Sequence, residues 1–315
     1  MQLKSPYMLP LIAALFWGGN FVAGRYILPE VPPFTLSFLR WALALMIILP
    51  FTYRDIRMNY KKYAKHWKTI LGMGFLGIAA FTATVYISIQ HTTAINASIL
   101  SSCSPVMIVI VAYFILGEKV NSSQVVGFVL SLLGVMWIVS KGSLAQLGHL
   151  QFNAGDLIMM GGNLIWAFYS ILLRKTAGLI PGLTSFALTI AAGVMFLLPA
   201  SLIELQFREA HLASVHVWLS LFYLGIFASV VSFFCWTLSI QRIGPSKSSP
   251  FLNLVPLFAT LFAMVLLGEK LEVAQAIGGM FILSGVLFSF RQPRRRRAPK
   301  GLHVKNESAS SEVNA

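Results

Sequence analysis

The chain has 315 residues, of which 57% are hydrophobic and only 11% are charged, and its mean hydropathy is +0.76. A chain of this composition has too little polar surface to cover a water-soluble domain, so it predicts an integral membrane protein and excludes a soluble one. The net charge of +14 does not indicate a nucleic-acid partner, because the short segments 54–68 and 291–312 each carry +5 of it.

Ten apolar stretches follow one another along the chain, each long enough to supply the ~20 residues with which a helix crosses a bilayer. Turn-forming sequences such as Pro29-Glu30-Val31-Pro32-Pro33 and Gly244-Pro245-Ser246 separate them. The fold predicted is all-α, with ten transmembrane helices at residues 8–28, 34–53, 68–89, 94–116, 121–140, 154–173, 182–203, 216–240, 246–267 and 272–290.

A later part of the chain repeats an earlier one, so the chain is interpreted as a tandem duplication. One set of residues recurs 151 positions later, namely Pro105 as Pro256, Gly117-Glu118-Lys119 as Gly268-Glu269-Lys270, Gln124 as Gln275, Gly127 as Gly278 and Gly134 as Gly285. The first helices correspond at an offset of 149, through Trp17 and Trp166, Arg25 and Arg174, Thr35 and Thr184, and Pro50 and Pro199. We predict five-helix repeats at 1–145 and 150–291, followed by a basic, disordered cytoplasmic tail at 292–315.

Each repeat has five spans, so the second copy enters the membrane from the opposite side. Such inverted repeats are typical of secondary transporters, whose substrate site lies near the bilayer midplane between the halves. If the N-terminus is cytoplasmic, that side holds 19 Lys and Arg residues and the other side only four. Both termini are therefore expected in the cytoplasm.

Several motifs resemble those of EamA-type permeases of the drug/metabolite transporter superfamily. They are Trp17-Gly18-Gly19-Asn20-Phe21-Val22 in the first span, Pro33-Phe34 followed by Arg40 in the second, and the repeated Pro, Gly-Glu-Lys and Gly signature. The resemblance covers about residues 8–290. It implies a central cavity between two halves, alternating access, export of amino acids or other small metabolites, and a bacterial plasma (inner) membrane. In the second copy, Trp166-Ala167-Phe168-Tyr169 replaces the first motif, and Ala187 or a neighbour stands where Arg40 would repeat.

Aromatic rings and amides at mid-depth are the main candidates for substrate contacts, because they bind a zwitterionic or aromatic solute by stacking and hydrogen bonding. Pro105 and Pro256 are predicted near the middle of their spans, where each frees a backbone carbonyl and permits a kink or gate. Small polar residues beside them pack helices closely or line a wet cavity. The substrate-binding candidates are Trp17, Asn20, Tyr86, Ser102, Asn163, Trp166, Tyr169, Trp236 and Asn253.

Arg40 is the one charge placed well inside a span, and we expect a structural role for it, with its side chain reaching the nearer interface. Cys103 and Cys235 lie in apolar runs, and no metal, cofactor or disulfide is expected. The expected partners are a small-molecule substrate and membrane lipid, while the oligomeric state is not indicated. No Asp or Glu lies in the middle of a span, which favours facilitated or exchange-type export of a neutral or zwitterionic metabolite.

Three alternatives remain open at this point. A nucleotide-sugar carrier needs several cations in its cavity, where Arg40 is the only candidate. An exporter of drugs or lipophilic cations would need a carboxylate in the first span, and residues 8–24 have none. An intramembrane enzyme needs His, Asp or Glu side chains together at one depth, whereas here they are scattered. A multi-pass permease that is not an enzyme is therefore predicted.

Overall fold

The computed structural model describes residues 6–92, 97, 100–118, 121–140, 142–143, 153–267 and 273–289. These residues form helices joined by turns and irregular segments and contain no β-strand, as the sequence predicts. The tail predicted at 292–315, residue Lys119 and the second Gly268-Glu269-Lys270 motif lie outside the described residues.

Within the described residues, ten principal helices correspond in order to the ten predicted spans. Five of them, α2, α3, α6, α7 and α8, are long and apolar enough to cross a membrane by length and composition. Two contain π-helical segments that the sequence does not predict, Gly74–Ala80 in α3 and Tyr223–Val231 in α8. The helices are α1 Met8–Ile27, α2 Pro33–Ala64, α3 Trp67–His91, α4 Ser104–Leu116, α5 Ser122–Val139, α6 Ala154–Lys175, α7 Gly182–Glu204, α8 Val215–Ile243, α9 Val255–Leu267 and α10 Val273–Ser289.

The second helix is longer than predicted, because it continues from residue 53 to Ala64. The extension contains Arg, Lys and Tyr. These residues are too polar for the apolar part of the membrane, and Arg and Lys are good helix formers. Asn59 interrupts the regular backbone (φ −112°, ψ 15°). Its side chain donates to the backbone oxygen and to the carboxylate of Asp55, at 3.2 and 2.7 Å.

The prediction for Pro105 and Pro256 requires a correction, since neither lies inside a continuous helix. Each is the second residue of its helix, in α4 and in α9. Before Pro105 the chain makes a turn at Ser102 and Cys103, and before Pro256 it forms a 3₁₀-helix, Ser249–Leu254. Proline has no N–H and fits the first turn of a helix, whereas further inside it breaks the hydrogen-bond ladder. The fourth and ninth spans are therefore broken helices.

Close glycine contacts show how the two halves are related. At Gly127 of α5 an added Cβ would lie 2.5 Å from the carbonyl oxygen of Gly285 in α10, and at Gly134 it would lie 2.5 Å from that of Gly278. A later position in α5 thus meets an earlier one in α10, so the two helices are antiparallel. Exchanging the copies exchanges these two contacts, as a twofold axis across the helices requires.

The other helix pairs obey the same symmetry. Helix α2 packs against its counterpart α7. Helix α1 packs against α9, and the equivalent helix α6 packs against α4. Helix α8 packs against α1, and the equivalent helix α3 packs against α6. The π-helical segments repeat one contact in both halves. An added Cβ at Gly74 would lie 2.5 Å from Ala192 of α7, and one at Gly225 would lie 2.6 Å from Leu43 of α2. The buried core between the halves is built around this axis.

Candidate functional site

A small cavity lies between the two halves. Its volume is ≈ 50 Å³, which is room for a few water molecules. Both broken helices and the first helix of each copy contribute to its wall. The lining residues are Trp17, Asn20, Phe21, Arg40, Phe81, Thr82, Val85, Tyr86, Ser101, Ser104, Trp166, Phe233, Leu252 and Val255.

One side of the cavity is a continuous group of aromatic rings. Trp166 contacts Phe81 with ring centroids 4.5 Å apart, and Phe233 with 5.4 Å. Trp17 also meets Phe233 edge to face, at 5.3 Å. The Trp17 indole donates to the backbone oxygen of Ala228 at 3.1 Å, which fixes this ring to the π-helical segment of α8. Such a wall offers stacking contacts to a planar or apolar ligand group.

The cavity wall also carries a buried cation. The Arg40 side chain is only 2% exposed. Its Nε donates to Ser229 Oγ at 2.8 Å, and its Nη1 donates to Asn20 Oδ1 at 2.8 Å and to the Tyr86 hydroxyl. All three partners are neutral, and Nη2 makes no hydrogen bond within the described residues. The charge is thus held by dipoles and has no counter-ion there.

The expectation that Arg40 reaches the membrane interface is wrong. Its guanidinium lies 5.4 Å from the ring centroid of Trp41 and 5.7 Å from that of Tyr86, both fully buried. Helix α2 packs against α8, and this contact turns Arg40 inward towards Ser229. A buried guanidinium without a carboxylate is costly, because desolvating an ion costs several kcal/mol.

Of the nine predicted substrate contacts, the structure places four on the cavity wall, namely Trp17, Asn20, Tyr86 and Trp166. Trp236 and Tyr169 lie one layer behind. Both are fully buried and contact Trp166, with centroids 5.6 and 5.0 Å away. They support the wall and do not form it in this conformation.

Asn163 has a different place from the one predicted. Its amide donates to the backbone oxygen of Leu100 at 2.7 Å and accepts from Ser104 Oγ at 2.7 Å. It therefore bridges the break before α4, since a freed carbonyl in a membrane must find another donor. The residue 149 positions earlier is Ala14, so this bridge exists in one half only.

Ser102 and Asn253 also lie off the cavity wall. Both are buried, and Ser102 Oγ and Asn253 Oδ1 have no hydrogen-bond partner within the described residues. Each belongs to the irregular segment before a broken helix, next to residues that do line the cavity. The sequence analysis missed Ser229, which lies in a π-helical segment, and also Phe81 and Phe233, which follow such segments by one and two residues. Nothing in the sequence marks the face that residues in or after a π-helical segment present.

The repeated Gly-Glu-Lys motif has a structural explanation in the first copy. Glu118 accepts from the Ser246 N–H at 3.3 Å, and the Gln124 amide donates to the Ser246 oxygen at 3.3 Å. Gly244 stands beside Glu118 with φ +85°. The motif of the first copy therefore holds the turn between α8 and α9 of the second.

Comparison with known proteins agrees with this architecture. The profile of the EamA-like transporter family matches twice, at residues 4–140 and 153–291. The uncharacterized transporter YyaM of Bacillus subtilis (strain 168) is 28% identical over 284 residues, which is 89% of this chain and 92% of that protein. A probable amino-acid metabolite efflux pump of Salmonella typhimurium (strain LT2) is 24% identical, over 92% of this chain and 97% of that one. A probable terminal-alkyne amino-acid exporter of Streptantibioticus cattleyicolor is 27% identical, over 71% and 73%.

Paired broken helices around a cavity between two repeats define the class of multi-pass membrane transporters. The chain belongs to the EamA-like transporter family.

Proposed function

We propose that this transporter exports small zwitterionic metabolites that carry a carboxylate, amino acids first among them, by alternating access across the plasma membrane. The observation that carries the proposal is Arg40, a buried guanidinium on the cavity wall without a counter-ion in the described residues. A substrate carboxylate would supply that counter-ion.

The surroundings of Arg40 also favour an acceptor-rich ligand. The indole nitrogens of Trp41 and Trp236 are buried and have no acceptor within the described residues. Trp41 contacts the lining residue Phe233 at 4.6 Å, and Trp236 contacts Trp17 at 5.6 Å. These two unpaired donors behind the cavity wall match a carboxylate better than an amine.

The charge count supports a small substrate over the alternatives. Among the lining residues that the structure describes, Arg40 is the only one with a formal charge. A nucleotide sugar, with two phosphates, would leave charge unpaired, and a lipophilic cation would be repelled. Two of the relatives described above are named for amino acids or their metabolites, which also supports an amino-acid-like substrate. A cytoplasmic position for both termini is part of the proposal and rests on the Lys and Arg count.

The test is counterflow in proteoliposomes that contain the purified protein and unlabelled phenylalanine. We expect labelled phenylalanine to accumulate, and external phenylalanine to compete while phenethylamine, which lacks only the carboxylate, does not. Equal competition by phenethylamine would contradict carboxylate recognition. If labelled nucleotide sugars or lipophilic cations exchange and amino acids do not, the substrate class is wrong.

A further inference from the structure

Two carboxylates join α2 to α7, one at each end of the pair. Glu204, the last residue of α7, accepts from the backbone N–H groups of Phe34 and Thr35 at 3.2 and 2.7 Å, and from Thr35 Oγ1 at 2.9 Å. It therefore caps the first turn of α2, where N–H groups have no partner within the helix. At the other end, Asp55 of α2 accepts from Thr184 Oγ1, in the first turn of α7, at 2.5 Å.

These two contacts are equivalent under the duplication. Glu204 follows Asp55 by 149 positions, and Thr184 follows Thr35 by 149, which is the offset of the first helices of the repeats. Exchanging the two copies therefore exchanges the two contacts. A carboxylate at both positions is not explained by helix propensity, since Glu204 is the last residue of α7 whereas Asp55 lies nine residues before the end of α2.

The contacts are separated by the thickness of a membrane. Thr35 and Asp55 are 20 residues apart on α2, which is roughly 30 Å at 1.5 Å per residue, the same as the hydrocarbon core. Arg40 and the cavity lie between them. One contact thus closes the α2–α7 pair at one membrane face, and the other closes it at the opposite face.

We infer that Glu204 and Asp55 are the two gates of the transport cycle, each released when the cavity opens to its own face. In a transporter of inverted repeats, rocking one half against the other separates the helices at one face and keeps them together at the opposite face. Both contacts are made in this structure, and the cavity has room for only a few waters. Neither gate is released in this structure, and breaking either contact would lead to one open state.

The inference rests on transport by alternating access, but its test needs no substrate. A single reporter cysteine replaces the cavity residue Ser101, in a background in which Cys103 and Cys235 are replaced by serine and alanine. A membrane-impermeant maleimide is then applied to vesicles of each orientation. Labelling of the reporter measures how often the cavity opens to the side on which the reagent is present.

We expect Glu204→Gln to raise labelling at least about fivefold from the face that holds Glu204 and to lower it from the other. Thr184→Val removes the hydroxyl that binds Asp55, while the bonds of Asp55 to Asn59 and Tyr63 remain. It should therefore raise labelling from the opposite face as much as Asp55→Asn does. Thr35→Val leaves two backbone N–H groups on Glu204, so its effect should be smaller than that of Glu204→Gln.

Glu209→Gln is the matched control, because Glu209 is an exposed carboxylate close to Glu204 in the sequence. It should leave labelling unchanged from both sides. Equal changes from both faces, no change in Glu204→Gln, or the same change in Glu209→Gln would overturn the assignment of the gates. Because phenylalanine is absent from this experiment, a wrong substrate in the proposed function would not affect it.

Discussion

Trp17 and Trp166 meet edge to face, with ring centroids 5.4 Å apart and ring planes at 86°, although they occupy equivalent positions in the two copies. Two residues related by a twofold axis can touch only where that axis passes between them. The axis therefore crosses the cavity that both rings line. The aromatic wall therefore lies where the two halves meet.

The two indoles should differ in their effect on stability. Trp17→Phe removes the donor to Ala228 and leaves a buried carbonyl without it, at a cost of about 1 kcal/mol. We expect its unfolding temperature in detergent to fall by about 2–4 °C. Trp166 makes no such bond within the described residues, so Trp166→Phe serves as the control and should change the temperature less. If the unfolding temperature falls equally in Trp17→Phe and Trp166→Phe, the smaller ring and not the lost hydrogen bond causes the effect.

Arg40 should determine the affinity for the carboxylate. Arg40→Gln keeps a polar side chain but removes the charge, which is worth about 1.5–3 kcal/mol in a charged hydrogen bond. We expect the concentration of phenylalanine that gives half-maximal counterflow to rise by about 10- to 100-fold. Arg40→Lys keeps a point charge but lacks the planar guanidinium. Its half-maximal concentration should therefore lie between those of the native protein and of Arg40→Gln.

The exposed Arg25, which lines an open groove at the end of α1, provides the matched control for Arg40. Arg25→Gln removes a charge of the same sign outside the cavity, so counterflow should stay within about twofold of the native protein. A large loss in Arg25→Gln, or none in Arg40→Gln, would mean that the cavity cation does not bind the carboxylate.

The glycine contacts between α5 and α10 should not tolerate a side chain. In Gly127→Ala the new Cβ would lie 2.1 Å from Ser289 Oγ and 2.5 Å from the Gly285 oxygen, so the helices must move apart. We expect a loss of about 1–3 kcal/mol, measured as a lower unfolding temperature. Gly161→Ala is the control, since no atom lies within 4 Å of its added Cβ. It should be neutral or stabilise α6 by about 0.5–1 kcal/mol.

Asn163 should keep the break before α4 ordered. Asn163→Asp retains the acceptor for Ser104 but removes the donor to the Leu100 oxygen. We expect faster maleimide labelling of Cys103, which caps α4 and is half-buried, relative to the buried Cys235 in the same molecules. Unchanged relative labelling of the two cysteines would show that the break does not depend on Asn163.

Much of the fold follows from the sequence, because it depends on local and periodic properties. Apolar length predicts the helices, and the recurrence of Pro, Gly and charge at fixed offsets predicts the duplication. The odd number of spans then predicts that the copies are inverted. The same offsets already relate Asp55 to Glu204, a pair that the sequence analysis did not use because neither residue lies within an apolar stretch.

The tertiary structure alone decides which side chains line the cavity. The sequence of α2 is compatible with an Arg40 side chain that reaches the interface or one that turns inward. The packing of α8 against α2 turns it inward, towards Ser229. Helix α6 carries three residues with different places: Trp166 lines the cavity, Tyr169 packs behind Trp166, and Asn163 bridges the break before α4. Sequence determines which groups are available at a given depth, whereas the face that each presents is fixed by contacts between distant helices.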